Sequence, residues 1–141
     1  MNTLNKFLNI PNEGDTDCFN LCISFWKEHG LDLPFQTRTI SGNIPVMKRF
    51  LSNFDIVYDS RGSNTSQYPD LQYGDFLYVY MGYWGICLNE STLLTSVEKS
   101  GLFDLRNARY EKRLLSVFRP KIKIEPLCLL SGTEKIFTLP V

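Results

Sequence analysis

The sequence predicts an α+β fold in which one helix packs on an antiparallel β-sheet. Two observations lead to this class: residues 16–29 form a single strongly amphipathic segment, and residues 76–97 have the pattern of consecutive strands joined by short turns. The 141 residues, 43% of them hydrophobic, are enough to bury a core. The formal net charge is zero, which gives no global reason to expect a nucleic acid as partner.

The helix is predicted over residues 16–29. Asp15, Thr16 and Asp17 supply capping oxygens and favourable charge at its start, and Gly30 followed by Pro34 ends it. Its apolar residues recur at the i, i+3, i+4, i+7 spacing that gives a helix one buried face: Cys18, Leu21, Cys22, Phe25 and, at the edge, Trp26. Cys18 is therefore predicted to lie in the first turn, on the inward face.

Strands are predicted where apolar and polar residues alternate, or where an apolar run is bounded by turn signals. These segments are residues 55–58, 76–81, 83–88 and 92–97. The first long strand, residues 76–81, is apolar on both faces, which is typical of a strand inside a sheet that is covered on both sides. A shorter helix is predicted over residues 45–53, and a polar loop over residues 60–70. A C-terminal hairpin, residues 122–130 and 135–139, is predicted to end the chain.

Charge and cysteine content limit the classes of ligand. Four scattered cysteines and one histidine do not have the spacing of a zinc site, so neither a metal nor a cofactor is predicted. The segment 106–123 holds seven basic residues and one acidic residue, whereas the first 105 residues hold 7 basic and 12 acidic ones. A solvated face or a protein interface is the predicted use of this segment, with nucleic-acid contact as the alternative. No membrane span is predicted, because the longest apolar stretch, residues 76–88, is too short.

Cys18 is the residue with the clearest potential for chemistry. In the first turn of a helix, unpaired N–H groups and the helix dipole stabilise a thiolate, which is the nucleophilic form of cysteine. Taken alone, Cys18 is better interpreted as a buried structural cysteine on the apolar face of a helix, which is the commoner case. Its neighbours Asp17-Cys18, and the ending Gly-Leu-Asp-Leu-Pro at residues 30–34, resemble the nucleophile helix of NlpC-type cell-wall cysteine peptidases.

Further segments are similar to motifs of that family in the same order. Residues 73–76 (Tyr-Gly-Asp-Phe) are similar to its Pro-Gly-Asp-Leu turn, and residues 83–88 (Tyr-Trp-Gly-Ile-Cys-Leu) to its His-Val-Gly-Ile-Tyr-Leu strand. Residues 118–120 (Phe-Arg-Pro) are similar to an ending seen in the phage tail branch of the family. The resemblance covers about residues 15–120 and implies a papain-like NlpC-type fold.

The same resemblance places Tyr83 at the position of the catalytic histidine and Thr95 at that of the third polar residue. An imidazole takes the thiol proton and later protonates the leaving amine because its pKa lies near neutrality, whereas phenols ionise near pH ~10. His29 lies 11 residues after Cys18 in the sequence, roughly 16 Å along a helix axis at about 1.5 Å per residue. Cys18, Tyr83 and Thr95 are therefore predicted to be neighbours that no longer catalyse hydrolysis.

The functional prediction is a non-catalytic structural protein of a phage tail tip or baseplate, made in the host cytoplasm and located in the virion. Its predicted partners are other subunits of the tail, in an oligomeric ring or complex, and not nucleic acid. The alternative is an active peptidoglycan-cleaving endopeptidase or amidase that uses an unrecognised or partner-supplied base. A protein that binds peptidoglycan stems without cutting them is a third reading.

Three regions are predicted: an N-terminal arm (residues 1–14), an NlpC-like domain (15–120) and a C-terminal hairpin extension (121–141). The extension is predicted to form an interface with another protein chain, because an isolated hairpin is marginally stable in water and its apolar side chains need a cover. The alternative is that it packs back on its own sheet. The predicted interface residues are Ile122, Ile124, Leu129, Leu130, Ile136 and Phe137.

Overall fold

The computed structural model describes residues 3–13, 17–32, 52–59, 70–79, 83–106, 114–127 and 135–139. The predicted amphipathic helix is confirmed as α1, Cys18–Glu28. The Asp17 carboxylate caps it by accepting a hydrogen bond from the Asn20 N–H at 2.8 Å. The helix ends at Glu28, and the chain turns away at Gly30, whose φ of 88° is readily adopted only without a side chain; the Leu31 N–H donates back to the Trp26 carbonyl.

Seven strands form one sheet in the order β1-β6-β2-β3-β4-β5-β7. Neighbouring strands are antiparallel except for β5 and β7, which run parallel. The strands predicted at 55–58, 76–81, 83–88 and 92–97 correspond to β1 to β4. In chain order the strands are β1 Phe54–Asp59, β2 Phe76–Val79, β3 Tyr83–Asn89, β4 Thr92–Ser96, β5 Ser100–Asp104, β6 Leu114–Pro120 and β7 Ile136–Thr138.

The predicted papain-like NlpC-type fold class is wrong. The described residues are mostly strand, in a mixed seven-stranded sheet, and their one α-helix has 11 residues. The predicted C-terminal hairpin is wrong as well, because β7 pairs with β5, through Leu102 opposite Ile136 and Phe103 opposite Phe137. The physical reason is burial: Phe137 packs against the ring of Phe103, which lies on a strand more than 30 residues earlier in the chain.

The sheet buries side chains on both faces, as the apolar pattern of residues 76–81 predicts. On the face covered by α1, a first core contains Phe76, Ile86 and Leu94 together with the helix residues Phe25 and Trp26. Successive side chains of a strand point to opposite faces. The second core, on the opposite face, therefore contains the alternate residues of β2 to β4, together with residues from β5, β6 and the C-terminal end. Its members include Leu77, Val79, Cys87, Leu93, Phe103, Leu114, Val117 and Leu139.

The three predicted regions share these two cores. At the N-terminal end, Leu4 and Phe7 of a short 3₁₀ helix, Leu4–Phe7, are buried in the first core. Near the C-terminal end, Ile124 and Leu127 pack against the first core, and Leu139 is buried in the second. Ile124, Leu127 and Leu139 therefore pack against the cores of this chain.

The helix predicted at residues 45–53 and the loop predicted at 60–70 fall almost wholly outside the described residues. Across the part of the chain that the structure describes, every helix is too short or too polar to cross a membrane.

Gly85 of β3 has no room for a side chain. A Cβ there would lie 2.8 Å from the Leu94 carbonyl oxygen and 2.6 Å from the Leu93 Cδ1. We therefore expect Gly85→Ala to lower the free energy of unfolding by about 1–3 kcal/mol, measured by urea denaturation. Gly101→Ala is the matched control, because a Cβ on Gly101 would have its nearest contact at 3.5 Å, with Phe137. Equal losses in the two variants would contradict the close approach at Gly85.

Candidate functional site

The Cys18 thiol lies where the first turn of α1 meets β3. Its Sγ accepts a hydrogen bond from the Trp84 N–H, with the two heavy atoms 3.5 Å apart. Burial raises the pKa of the Cys18 thiol; the Trp84 N–H works against this rise, and the carboxylate of Asp17 adds to it. The thiol is therefore protonated at neutral pH, which is the opposite of what a cysteine nucleophile needs.

Trp84 is a residue of β3 whose side chain lies on the sheet face covered by α1, the helix that carries Cys18. Its ring belongs to the first core, where it stacks on Phe76 with ring centroids 4.6 Å apart. Tyr83 precedes Trp84 in the strand and pairs with Val79, which is buried in the second core. Because side chains alternate along a strand, the Tyr83 phenol lies on the sheet face opposite to α1. The structure does not bring Tyr83 and Cys18 side chains together, so the position taken from the peptidase histidine does not face the thiol.

Thr95 is fully buried in β4 and bonds to the same residue of β3. Its hydroxyl donates to the Trp84 carbonyl oxygen at 2.6 Å. The main chain of Trp84 thus connects two of the predicted site residues, with its N–H directed at Cys18 and its carbonyl at Thr95. Both contacts fix the position of β3, and neither supplies a base to the thiol.

His29, the one histidine of the chain, follows the other end of α1. Its Nδ1 lies 2.8 Å from the Phe25 carbonyl oxygen, and its Nε2 lies 2.9 Å from the Tyr73 hydroxyl. In the neutral ring, Nδ1–H donates to the carbonyl and Nε2 accepts from the phenol. The Tyr73 oxygen in turn accepts from the Leu127 N–H at 3.0 Å. His29 therefore joins the helix end to residues 121–127 and has both nitrogens engaged.

A buried ion pair joins two of the sequence motifs. Asp75, which precedes β2, is fully buried, and its two carboxylate oxygens accept from Arg119 Nε at 2.9 Å and Nη2 at 2.8 Å. The same carboxylate accepts from the Gln72 N–H, and Arg119 Nη2 also donates to the Asp70 carbonyl. Asp75 raises the pKa of the Arg119 guanidinium further. This pairing was not predicted from the sequence, although opposite charges next to two apolar strands are a signal for it.

Beside this pair lies a cavity of about 430 Å³ at the end of β6. The lining residues are Gln72, Tyr73, Arg119, Pro120, Lys121, Ile122, Lys123 and Ile124. None of them carries a carboxylate, so its walls are basic and partly apolar. The basic residues of the segment 106–123 are evident in the sequence, but their position around a cavity is not.

The predicted interface residues fall into three groups. Ile122 and Ile136 are 42% and 51% exposed. Ile124 and Phe137 are partly buried against the first and second cores, and Leu129 and Leu130 lie outside the described residues. Within the described ranges, no three side chains of His, Cys, Asp or Glu lie together as metal ligands.

No family model matches the chain, and neither a curated protein nor a solved structure is significantly similar to it. The chemistry open to the Cys18 site is therefore judged from its own geometry. A neutral, half-buried thiol meets a main-chain N–H, while the imidazole is engaged at the far end of the same helix. This arrangement favours packing over nucleophilic attack.

Proposed function

We propose that this protein is a non-catalytic structural protein that acts by binding neighbouring protein chains. The observation that carries the proposal is the state of Cys18, whose burial raises its pKa, together with the engagement of His29 at the opposite end of α1. A thiol hydrolase needs a thiolate and a general acid near it. Cys18 has instead the surroundings of a cysteine that packs between a helix and a sheet.

The proposed setting is the tail tip or baseplate of a phage, with the protein as a subunit of a ring or complex in the virion. The similarity of residues 118–120 to the ending of phage tail peptidases supports this setting. Exposed aliphatic side chains support a role in binding proteins: Ile136 lies on β7, the last strand at one edge of the sheet, and Ile122 lies just after β6. Strand edges and exposed apolar residues are common sites of association.

A peptidoglycan-cleaving thiol hydrolase is the second candidate. One observation favours it: Cys18 is the first residue of α1, and the Trp84 N–H points at its sulfur. Backbone donors of this kind stabilise a thiolate when it forms. A base from a partner chain would then have to complete the site.

We expect the protein to be present in purified virions at a fixed copy number, and Cys18→Ala virions to keep that copy number and the same infectivity. A structural subunit needs its surface and its fold, whereas the thiol takes part in no reaction. Quantitative mass spectrometry of the particles and plaque counts measure the two quantities. Cys22→Ala serves as a control for packing, because Cys22 is fully buried on the same helix.

The hydrolase candidate makes the opposite prediction. Peptidoglycan incubated with purified protein, with and without tail proteins, would release soluble fragments, and this release would stop in Cys18→Ala. A general base typically contributes about 10²–10⁴-fold in rate, so a site without one should release no detectable fragments. Release that depends on Cys18 would therefore overturn the non-catalytic proposal. A protein found in lysates but never in particles would overturn the tail setting.

A further inference from the structure

The cavity next to the Asp75–Arg119 pair has the size and the charge of a binding site. Its volume of about 430 Å³ lies in the range of small-molecule pockets. Lys121 and Lys123 line it, are exposed, and form no ion pair with a described residue. Two cationic groups with no compensating carboxylate in the wall attract an anionic ligand.

Arg119 adds a third cation whose position is fixed. Its bonds to Asp75 and to the Asp70 carbonyl use Nε and Nη2, which leaves Nη1 outside this set of contacts. The side chain is 26% exposed, whereas Asp75 beneath it is fully buried. A guanidinium held in this way has lost its rotational freedom before a ligand arrives, so a ligand bond to it requires little further ordering.

The apolar part of the wall narrows the class of ligand. Ile122 is 42% exposed, and Ile124 is packed against Gly74, where even a Cβ would overlap its side chain. A backbone phosphate of a nucleic acid would use the cations but would leave the aliphatic surface uncovered. A peptide with carboxylates on either side of an aliphatic residue matches both parts of the wall.

We propose that this cavity binds an acidic segment of a partner protein, with its carboxylates at Lys121, Lys123 and Arg119 and an aliphatic side chain against Ile122. The inference rests on the proposed function, because it specifies one surface through which the protein binds its neighbours. It also gives a use to Lys121 and Lys123, the two basic residues that follow β6 in the segment 106–123. The first 105 residues hold 7 basic and 12 acidic residues, whereas residues 106–123 hold seven basic residues and one acidic residue.

Fluorescence anisotropy with a dye-labelled acetyl-Glu-Glu-Leu-Glu-Asp-Leu peptide tests the proposal. We expect saturable binding that weakens as the salt concentration rises from about 50 to about 200 mM, because salt screens exposed charges. We expect no binding of the same peptide with glutamine and asparagine in place of the acidic residues. Lys121→Glu/Lys123→Glu should weaken binding about tenfold or more. Ile122→Ser, which changes no charge, should weaken it severalfold at every salt concentration.

The matched control is Lys27→Glu/Lys99→Glu, which changes the net charge equally at two exposed lysines outside the cavity. This variant should bind the peptide like the unchanged protein, and circular dichroism should show that all variants are folded. Equal weakening in the control, or no binding at 1 mM protein, would overturn the proposal. Displacement of the peptide by an equimolar uridine oligonucleotide would also overturn it and make nucleic acid the ligand. These failures would leave the virion and peptidoglycan results, and thus the proposed function, unchanged.

Discussion

Replacing Asp75 with asparagine is expected to lower the free energy of unfolding by about 2–4 kcal/mol. Asp75→Asn keeps the shape of the side chain but removes the charge that faces Arg119, and it replaces one acceptor oxygen by a donor. The Gln72 N–H and the guanidinium then compete for a single oxygen. The loss falls below that of a fully buried ion pair because Arg119 is 26% exposed. Guanidinium chloride denaturation measures the change.

Asp104→Asn is the control, because Asp104 also pairs with an arginine, Arg106, but on the surface. The bond from Arg106 lowers the pKa of the Asp104 carboxyl, yet solvent and salt screen this pair, so its loss should leave stability nearly unchanged. Similar losses at Asp75 and Asp104 would show that burial does not set the strength of the Asp75–Arg119 pair.

Truncating Phe76 is expected to cost about 3–5 kcal/mol of unfolding free energy. Phe76 is fully buried in β2, the third strand from one edge of the sheet, and its ring lies at the centre of the aromatic cluster. The ring centroids of its neighbours are 4.4–6.1 Å away. Phe76→Ala removes contacts with all of them: Phe19, Trp26, Phe54, Trp84 and Phe118.

The control for this variant is Phe137→Ala, on the edge strand β7. Phe137 is half-buried, and Phe103 is its aromatic neighbour, at 5.7 Å. Its truncation should therefore cost clearly less unfolding free energy than that of Phe76, with both variants measured by urea denaturation. A larger loss at Phe137 would mean that pairing of β7 with β5, and not the aromatic cluster, limits the stability of the domain.

The elements that the sequence predicted correctly are those whose signal is local. The amphipathic spacing from Cys18 to Trp26 and the cap at Asp17 specify α1 within one short segment. The strands β2 to β4 follow from apolar runs bounded by short turn segments. Each of these elements forms its contacts near itself in the chain, so a pattern over 5 to 15 residues is enough to identify it.

The parts that could not be predicted depend on distant partners. The segment of β5 begins with Ser100 and Gly101 and looks like a turn, but it forms a buried strand because it lies between β4 and β7. The basic residues of the segment 106–123 concealed β6, whose apolar side chains fill gaps on both faces of the sheet. The parallel pairing of β7 with β5 has no signature in the three residues of β7 themselves.

The candidate site shows the same division. The position of Cys18 in the first turn of α1 was predicted from helix periodicity and is confirmed. The predicted partner of the thiol, Tyr83, came from the resemblance to the peptidase family. A shift of one residue along a strand moves a side chain to the other face of the sheet. Trp84 therefore occupies the place expected for Tyr83. The pairing of Tyr83 with Val79, which decides the face, is a property of the sheet and not of either segment.

The insertion of β6 between β1 and β2 has a consequence for the making of this protein. On the ribosome, β1 is complete at Asp59, but the strand that pairs with it begins only at Leu114. Throughout the synthesis of the intervening residues, the nascent chain carries a strand that has not yet met its partner. A ribosome that stalls before Pro120 therefore holds a chain whose sheet has a gap between its first two strands. The seven-stranded sheet is complete only after Thr138 has been added, when nearly the whole chain has been made.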